Sequence, residues 1–132
     1  MAYSLSDIEA TTQALGAIIS APDQTIPTFG RSEESGLPHI EVQGPMMSWV
    51  VRERGREFER RTTTELDELL YWIFESITFS MAMRWELEHR VEGQDFRKLL
   101  FLRQFELLDQ LRPGWSDRRQ HELGPILGEV GL

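Results

Sequence analysis

The sequence contains no cysteine. This excludes a disulfide framework, a thiolate metal cage and a thiol nucleophile, and it fits a reducing compartment. Long apolar runs are missing too. The most apolar stretch, "LLYWIFESITFSMAM", falls short of the roughly 20 residues a spanning helix needs and carries Glu75 inside it. The start, "MAYSLSDIEA", has neither the basic beginning nor the apolar segment of a secretory signal. Basic residues are outnumbered, 14 Lys and Arg against 22 Asp and Glu, for a net charge of −8. That balance weighs against nucleic acid as a direct ligand, because phosphate binding is driven by clustered Lys and Arg. No metalloprotease helix, phosphate loop, dinucleotide fingerprint or nucleophile elbow occurs. The expectation is a cytoplasmic protein with no metal or cofactor and no membrane contact.

What is present reads as globular: 40% hydrophobic and 27% charged residues, a composition able to bury a core rather than stay disordered. With 132 residues the chain suits a single domain, 1–132. The acidic excess is uneven. Six acidic groups face Arg31 alone over residues 1–43, a net −5, and seven face Arg84 and Arg90 over residues 64–92, again −5. Such a surface suits a basic protein partner, although an acidic balance also serves solubility alone.

Hydrophobic periodicity supplies the fold class. Ser6 and Glu9 have capping-box spacing, and Ile8, Leu15, Ile18 and Ile19 recur at near-helical intervals, predicting a first helix that ends near Ser20. "APDQTIPTFGRSEESGLP" is dense in proline, glycine and small polar residues and reads as a long loop. Residues 38–62 then alternate as strands. A two-residue turn at Arg54 and Gly55 sets Glu53 opposite Arg56, Arg52 opposite Glu57, Val51 opposite Phe58 and Trp49 opposite Arg60, so charges of opposite sign and apolar residues meet. This predicts a three-stranded antiparallel meander. Thr64 is a candidate cap for a long helix through Leu66, Leu70, Ile73, Ile77, Met81 and Trp85, running toward Val91 and ended by Gly93. Asp95 then starts a second long antiparallel helix, stopped by Pro113 and Gly114, and Ser116 caps a short last one that Pro125 divides. The class is α+β: an N-terminal helix, the meander, two long antiparallel helices and a short C-terminal helix. Trp72 belongs in the core of this plan, whereas Trp49 or Trp115 is a candidate exposed anchor. The five arginines of "RERGREFERR" interleave with three glutamates and read as a solvated hairpin rather than an RNA patch.

Chemistry-bearing residues concentrate in "WELEHRVEGQDFRKLLF", residues 85–101, which holds Glu86, Glu88, His89, Arg90, Glu92, Asp95 and Arg97. On a helix Glu86, His89 and Arg90 share one face. A metal needs three or four convergent ligands, and His89 is the lone imidazole nearby, His39 and His121 being distant in sequence. As an acid or base Glu86 suffers from Arg90, which keeps a carboxylate ionised. The remaining readings are an ion-paired corner between two helices and a partner-binding surface.

The run from "IEVQGPMMSWVV" through "FLRQFELL" resembles the immunity protein 63 family of bacterial polymorphic-toxin systems, over about half of the chain. The phrases that carry the resemblance are "VVRERGREFERRTT", "DELLYWIF", "ELEHR" and "QDFRKLLF". The resemblance implies a non-enzymatic cytoplasmic protein that binds and neutralises a cognate secreted toxin. It brings no catalytic residues with it. The expected contact surface is an acidic face drawn from Glu33 and Glu34 in the long loop and from Glu86, His89, Arg90, Glu92 and Asp95 at the corner, covering the toxin's active site. Two rival readings are a small hydrolase or transferase using Glu86, His89 and Asp95, and a housekeeping adaptor.

Overall fold

The structure, a computed structural model, describes residues 2–132. It forms two compact units, one up to Ile73 and one from Phe74 to Leu132, the boundary falling inside the helix Leu66–Glu88.

In the first unit, helix α1 spans Leu5–Ile18. Its capping box is closed by Ser4 and Asp7, two residues earlier than the Ser6 and Glu9 pair of equal spacing. The Ser4 hydroxyl accepts from the Asp7 N–H at 3.1 Å, and the Asp7 carboxylate accepts from the Ser4 N–H at 3.2 Å. This earlier start puts Ile8, fully buried, in the first turn, with Thr12 and Gly16 following on the same row.

The segment expected as a long loop is partly regular. It holds a 3-10 turn at Asp23–Thr25 and a two-residue strand β1, Thr28–Phe29. β1 pairs in parallel with β2, Ser35–Gln43, through Thr28↔His39 and Phe29↔Ile40. Two residues are too few to show alternation, so the strand is invisible without its partner. Gly30 follows at φ 85°, and a Cβ there would meet Leu5 Cδ1 at 3.0 Å, so glycine is what lets the chain turn beneath the start of α1.

β3, Met46–Glu53, and β4, Arg56–Thr63, complete a sheet of four strands in the order β1-β2-β3-β4, the last three being the expected antiparallel meander. Arg54 and Gly55 both have positive φ, 54° and 79°, as a two-residue hairpin turn demands. Pairing follows expectation for Glu53↔Arg56 and Arg52↔Glu57 and then slips by one residue, giving Val51↔Glu59 and Trp49↔Arg61. The extra residue is Phe58, bulged out and 59% exposed. Beyond the bulge every side chain changes face relative to the regular register. The Arg61 guanidinium thereby lies 5.1 Å over the Trp49 ring, and Arg60 reaches Glu41 at 3.1 Å.

Helix α2, Leu66–Glu88, runs from the first unit into the second. At its entry the Thr63 hydroxyl accepts from the Glu65 N–H at 3.0 Å, where Thr64 had been expected to cap. α2 ends at Glu88, before Val91. Helices α3, Phe96–Leu111, α4, Trp115–Leu123, and α5, Pro125–Glu129, follow. Gly114, at φ 87°, is the N-cap of α4, displacing Ser116, which lies buried in the first turn and accepts from Gln120 Nε2 at 3.1 Å. Gly124 and Pro125 divide the last helical segment as expected. Ala82, Leu100, Phe101, Leu123 and Val130 form a buried cluster in this unit, flanked by Phe79, Phe105, Ile126 and Leu127. Trp49 and Trp115 are both buried, not exposed anchors, while Trp72 is only half-buried. Among the described residues no helix is long and apolar enough to cross a membrane.

Candidate functional site

The charged corner of residues 85–97 forms where α2 gives way to α3. Two devices fix it. First, Glu86, in the last turn of α2, is 2% exposed, and both its oxygens accept from Arg90, at 3.0 Å from Nε and 2.8 Å from Nη2. Second, the Asp95 carboxylate caps α3, accepting from the Arg97 N–H at 3.0 Å, and it also receives the Arg97 guanidinium at 2.8 Å. Both carboxyls are held below their usual range, Glu86 chiefly by hydrogen bonds from Arg90 and Asp95 chiefly by those from Arg97.

His89 is drawn away from Glu86. Its ring stacks on Trp85, centroids 4.1 Å apart and planes 12° off parallel, and its Nδ1 donates to the Trp85 carbonyl at 2.8 Å. A carbonyl can only accept, so this bond places a proton on Nδ1. The Arg103 guanidinium also lies 5.3 Å over the Trp85 ring, which ties α3 to the end of α2. A general-acid role for Glu86 therefore meets a carboxylate kept ionised by a guanidinium, with its histidine neighbour stacked elsewhere. Among the described residues no three His, Asp or Glu groups converge as metal ligands.

The Glu86 pair has a pH consequence. Because the folded-state pKa is lowered, the pair stabilises the fold above the ordinary glutamate pKa and this contribution is lost as pH falls through the folded value. Wild type is thus expected to be more stable than Glu86→Gln at pH 7, with the difference shrinking below about pH 4. Urea denaturation at both pH values checks this; a gap that stays constant on acidification contradicts it.

The other expected contact residues lie in the first unit. Glu33 is exposed, 3.4 Å from Arg31. Glu34, at φ 53°, works as a clamp on the hairpin turn. Its carboxylate accepts from Arg52 Nε at 2.8 Å and from the Gly55 N–H, its carbonyl accepts from the Arg54 N–H at 3.1 Å, and the Arg52 bonds are the main reason its pKa is lowered. So of the expected contacts, Glu86 is buried under the surface and Glu34 is occupied by the fold, whereas Glu33, His89, Arg90, Glu92 and Asp95 present exposed atoms.

A second polar grouping went unnoticed in the sequence. His39 is 2% exposed, and its Nε2 lies 2.7 Å from Glu41 Oε2, while Arg60 bridges Glu41 at 3.1 Å and Glu57 at 2.9 Å. The hydrogen bond from His39 is the leading cause of a lowered Glu41 pKa. The i, i+2 spacing of His39 and Glu41 on one strand face was a usable signal; Arg60 joins them only through the bulged register. The shallow cup above them is floored by Glu41, Arg60 and the mutually bonded hydroxyls of Ser48 and Thr62, 2.8 Å apart. Its charged groups already satisfy one another.

The sequence pattern of the immunity protein 63 family matches residues 43–124, more than half of the chain. The chain belongs to that family. The matched segment includes the whole corner and leaves Glu33, Glu34, His39 and Glu41 outside. Comparison with curated proteins and with solved structures finds no match.

Proposed function

We propose that this protein is the neutralising partner of a cognate secreted bacterial toxin, acting in the cytoplasm by covering the toxin's active site. The observation that carries the reading is the family match, which spans the rigid charged corner. Such inhibition is non-enzymatic. It needs a stiff, specific surface, and the Glu86–Arg90 pair and the Asp95 cap supply stiffness where Arg90, Glu92 and Asp95 are exposed. The net charge of −8 favours a toxin domain with a basic surface and accelerates encounter through electrostatic steering.

The test is co-expression with the polypeptide encoded directly upstream, scoring complex formation and rescue of growth. A stoichiometric complex with rescue is expected. Its association rate should fall several-fold between low and physiological salt, since the Debye length shortens to about 8 Å. Absence of a complex rejects the immunity reading, and a salt-independent rate rejects the steering.

A further inference from the structure

β1 and β2 run parallel, yet only residues 30–34 join them. Parallel neighbours are normally joined by a crossover of a dozen residues or more. Here the chain leaves Phe29, level with Ile40, and has to come back to Ser35 at the start of β2. At about 3.3 Å per residue that return covers up to roughly 16 Å. The chain from residue 29 to residue 35 reaches about 20 Å when fully stretched, and part of this is taken up by the reversal at Gly30, φ 85°. The connection is a strap with little slack.

The strap is tied to the sheet at its two ends. At the first, the Gly30 N–H donates to the Ile40 carbonyl at 2.7 Å. Between the ends, the bonds of Arg31, Ser32 and Glu33 stay within residues 28–34 among the described residues. At the second end everything converges on Glu34, whose carboxylate takes Arg52 Nε at 2.8 Å and the Gly55 N–H while its carbonyl takes the Arg54 N–H at 3.1 Å. Glu34 makes these bonds at φ 53°, a left-handed conformation unfavourable for a residue with a Cβ, so the carboxylate's bonds oppose a backbone that would relax without them.

We propose that residues 30–34 are a strap latched by the Glu34 carboxylate, and that protonating this one group opens it, freeing β1 and baring the edge of β2. A neutral carboxyl no longer pairs with the Arg52 guanidinium and gives up its charge-assisted bond from Gly55. With β1 gone, β2 offers the unpaired backbone groups that a further strand can use. The hydrogen bond from Arg52 is the main reason the Glu34 carboxyl sits below its usual range. The latch therefore contributes stability above the ordinary glutamate value of about 4.3 and loses it as pH falls through the lower folded value. The other charges about Glu34 are Arg31 and Glu33 on the strap, Arg52 and Glu53 on β3, Arg54 in the turn, and Arg56 and Glu57 at the start of β4; Glu57 and Glu41 also act on Arg52. Glu57 is engaged by Arg60 at 2.9 Å, which leaves Arg52 to Glu34.

Amide NMR on the full chain tests this, with hydrogen-exchange protection followed at Gly30, Arg54 and Gly55 from pH 7 down to about pH 3. Glu34→Gln is expected to lower protection at these three amides at least about fivefold at pH 7, while the β3–β4 ladder keeps its own. Glu34→Gly removes the carboxylate but relieves the positive φ, and it should loosen the strap equally, which separates the latch from backbone strain. Wild type should lose the same protection as pH falls below the ordinary glutamate value, whereas Glu34→Gln should show no further change. Strap amides as well protected in both variants as in wild type overturn the latch. A pH-driven loss that persists in Glu34→Gln assigns the opening to Glu33, Glu53 or Glu57 and overturns it too. Protection lost from the strap and the β3–β4 ladder in step at every pH would mean unfolding of the whole sheet, and no separate strap.

Discussion

A Phe74→Ala variant is expected to unfold with a free energy about 3 to 5 kcal/mol below wild type. Phe74 is fully buried and faces Trp115, also buried, with ring centroids 6.1 Å apart and planes inclined by 26°. Truncation removes apolar area from the core and leaves a void where the ring stood. It also removes an aromatic pair worth about 0.5 to 1.5 kcal/mol beyond its area. Native stabilities are commonly only 5 to 15 kcal/mol, so the loss is a large share of the total. Urea denaturation measures it, and Phe74→Leu serves as the control because it keeps most of the volume and should lose much less. Equal losses for Ala and Leu would mean that the aromatic contact and the cavity are not what the ring contributes.

The second large effect is expected at Gln104, a fully buried polar residue. Its Nε2 donates to the Glu75 carbonyl at 3.0 Å and to Thr78 Oγ1 at 3.2 Å, and its Oε1 accepts from Arg119 Nε at 3.1 Å. Arg119, with a side chain only 14% exposed, closes the circuit through Glu75 at 3.0 Å and Glu122 at 3.5 Å. One amide thus joins α2, α3 and α4. Gln104→Ala leaves a half-buried guanidinium N–H without its acceptor and opens a cavity, a combined cost of about 2 to 4 kcal/mol. A double-mutant cycle with Gln104→Met and Arg119→Met should return a coupling of about 0.5 to 3 kcal/mol, because each single change strands the other's partner. Additive losses would show that the two side chains act independently.

These two residues also mark how far the sequence could be read. Phe74 lies in a strongly apolar stretch that favours burial, although Trp72 of the same stretch is only half-buried. Glu75, its neighbour, looked like an interruption that excluded a membrane span. Its partners, Arg119 and Gln104, sit 44 and 29 positions away in sequence, and no local pattern announces such a meeting. The hairpin divides in the same manner. Arg54-Gly55 identified the turn and the first two pairs, because turn chemistry is local; the bulge at Phe58 arises from what β3 and β4 gain by it, Arg61 over Trp49 and Arg60 against Glu41. At the corner the residues were all named from the sequence, and the i, i+4 ion pair and the Asp95 cap follow from spacing. Which carboxylate is buried and which exposed does not.

The sequence by itself determined the α+β class, the order of the main elements, the hairpin turn, the family and the place of the charged corner, since periodicity, caps, turn residues and motif phrases act over a few positions. Only the tertiary structure decided the fourth strand, the slipped register, the burial of Glu86 beneath Arg90 and the exposure of Leu87, Val91 and Phe96. Burial depends on what arrives from distant parts of the chain to exclude water, and that is a property of packing, not of spacing.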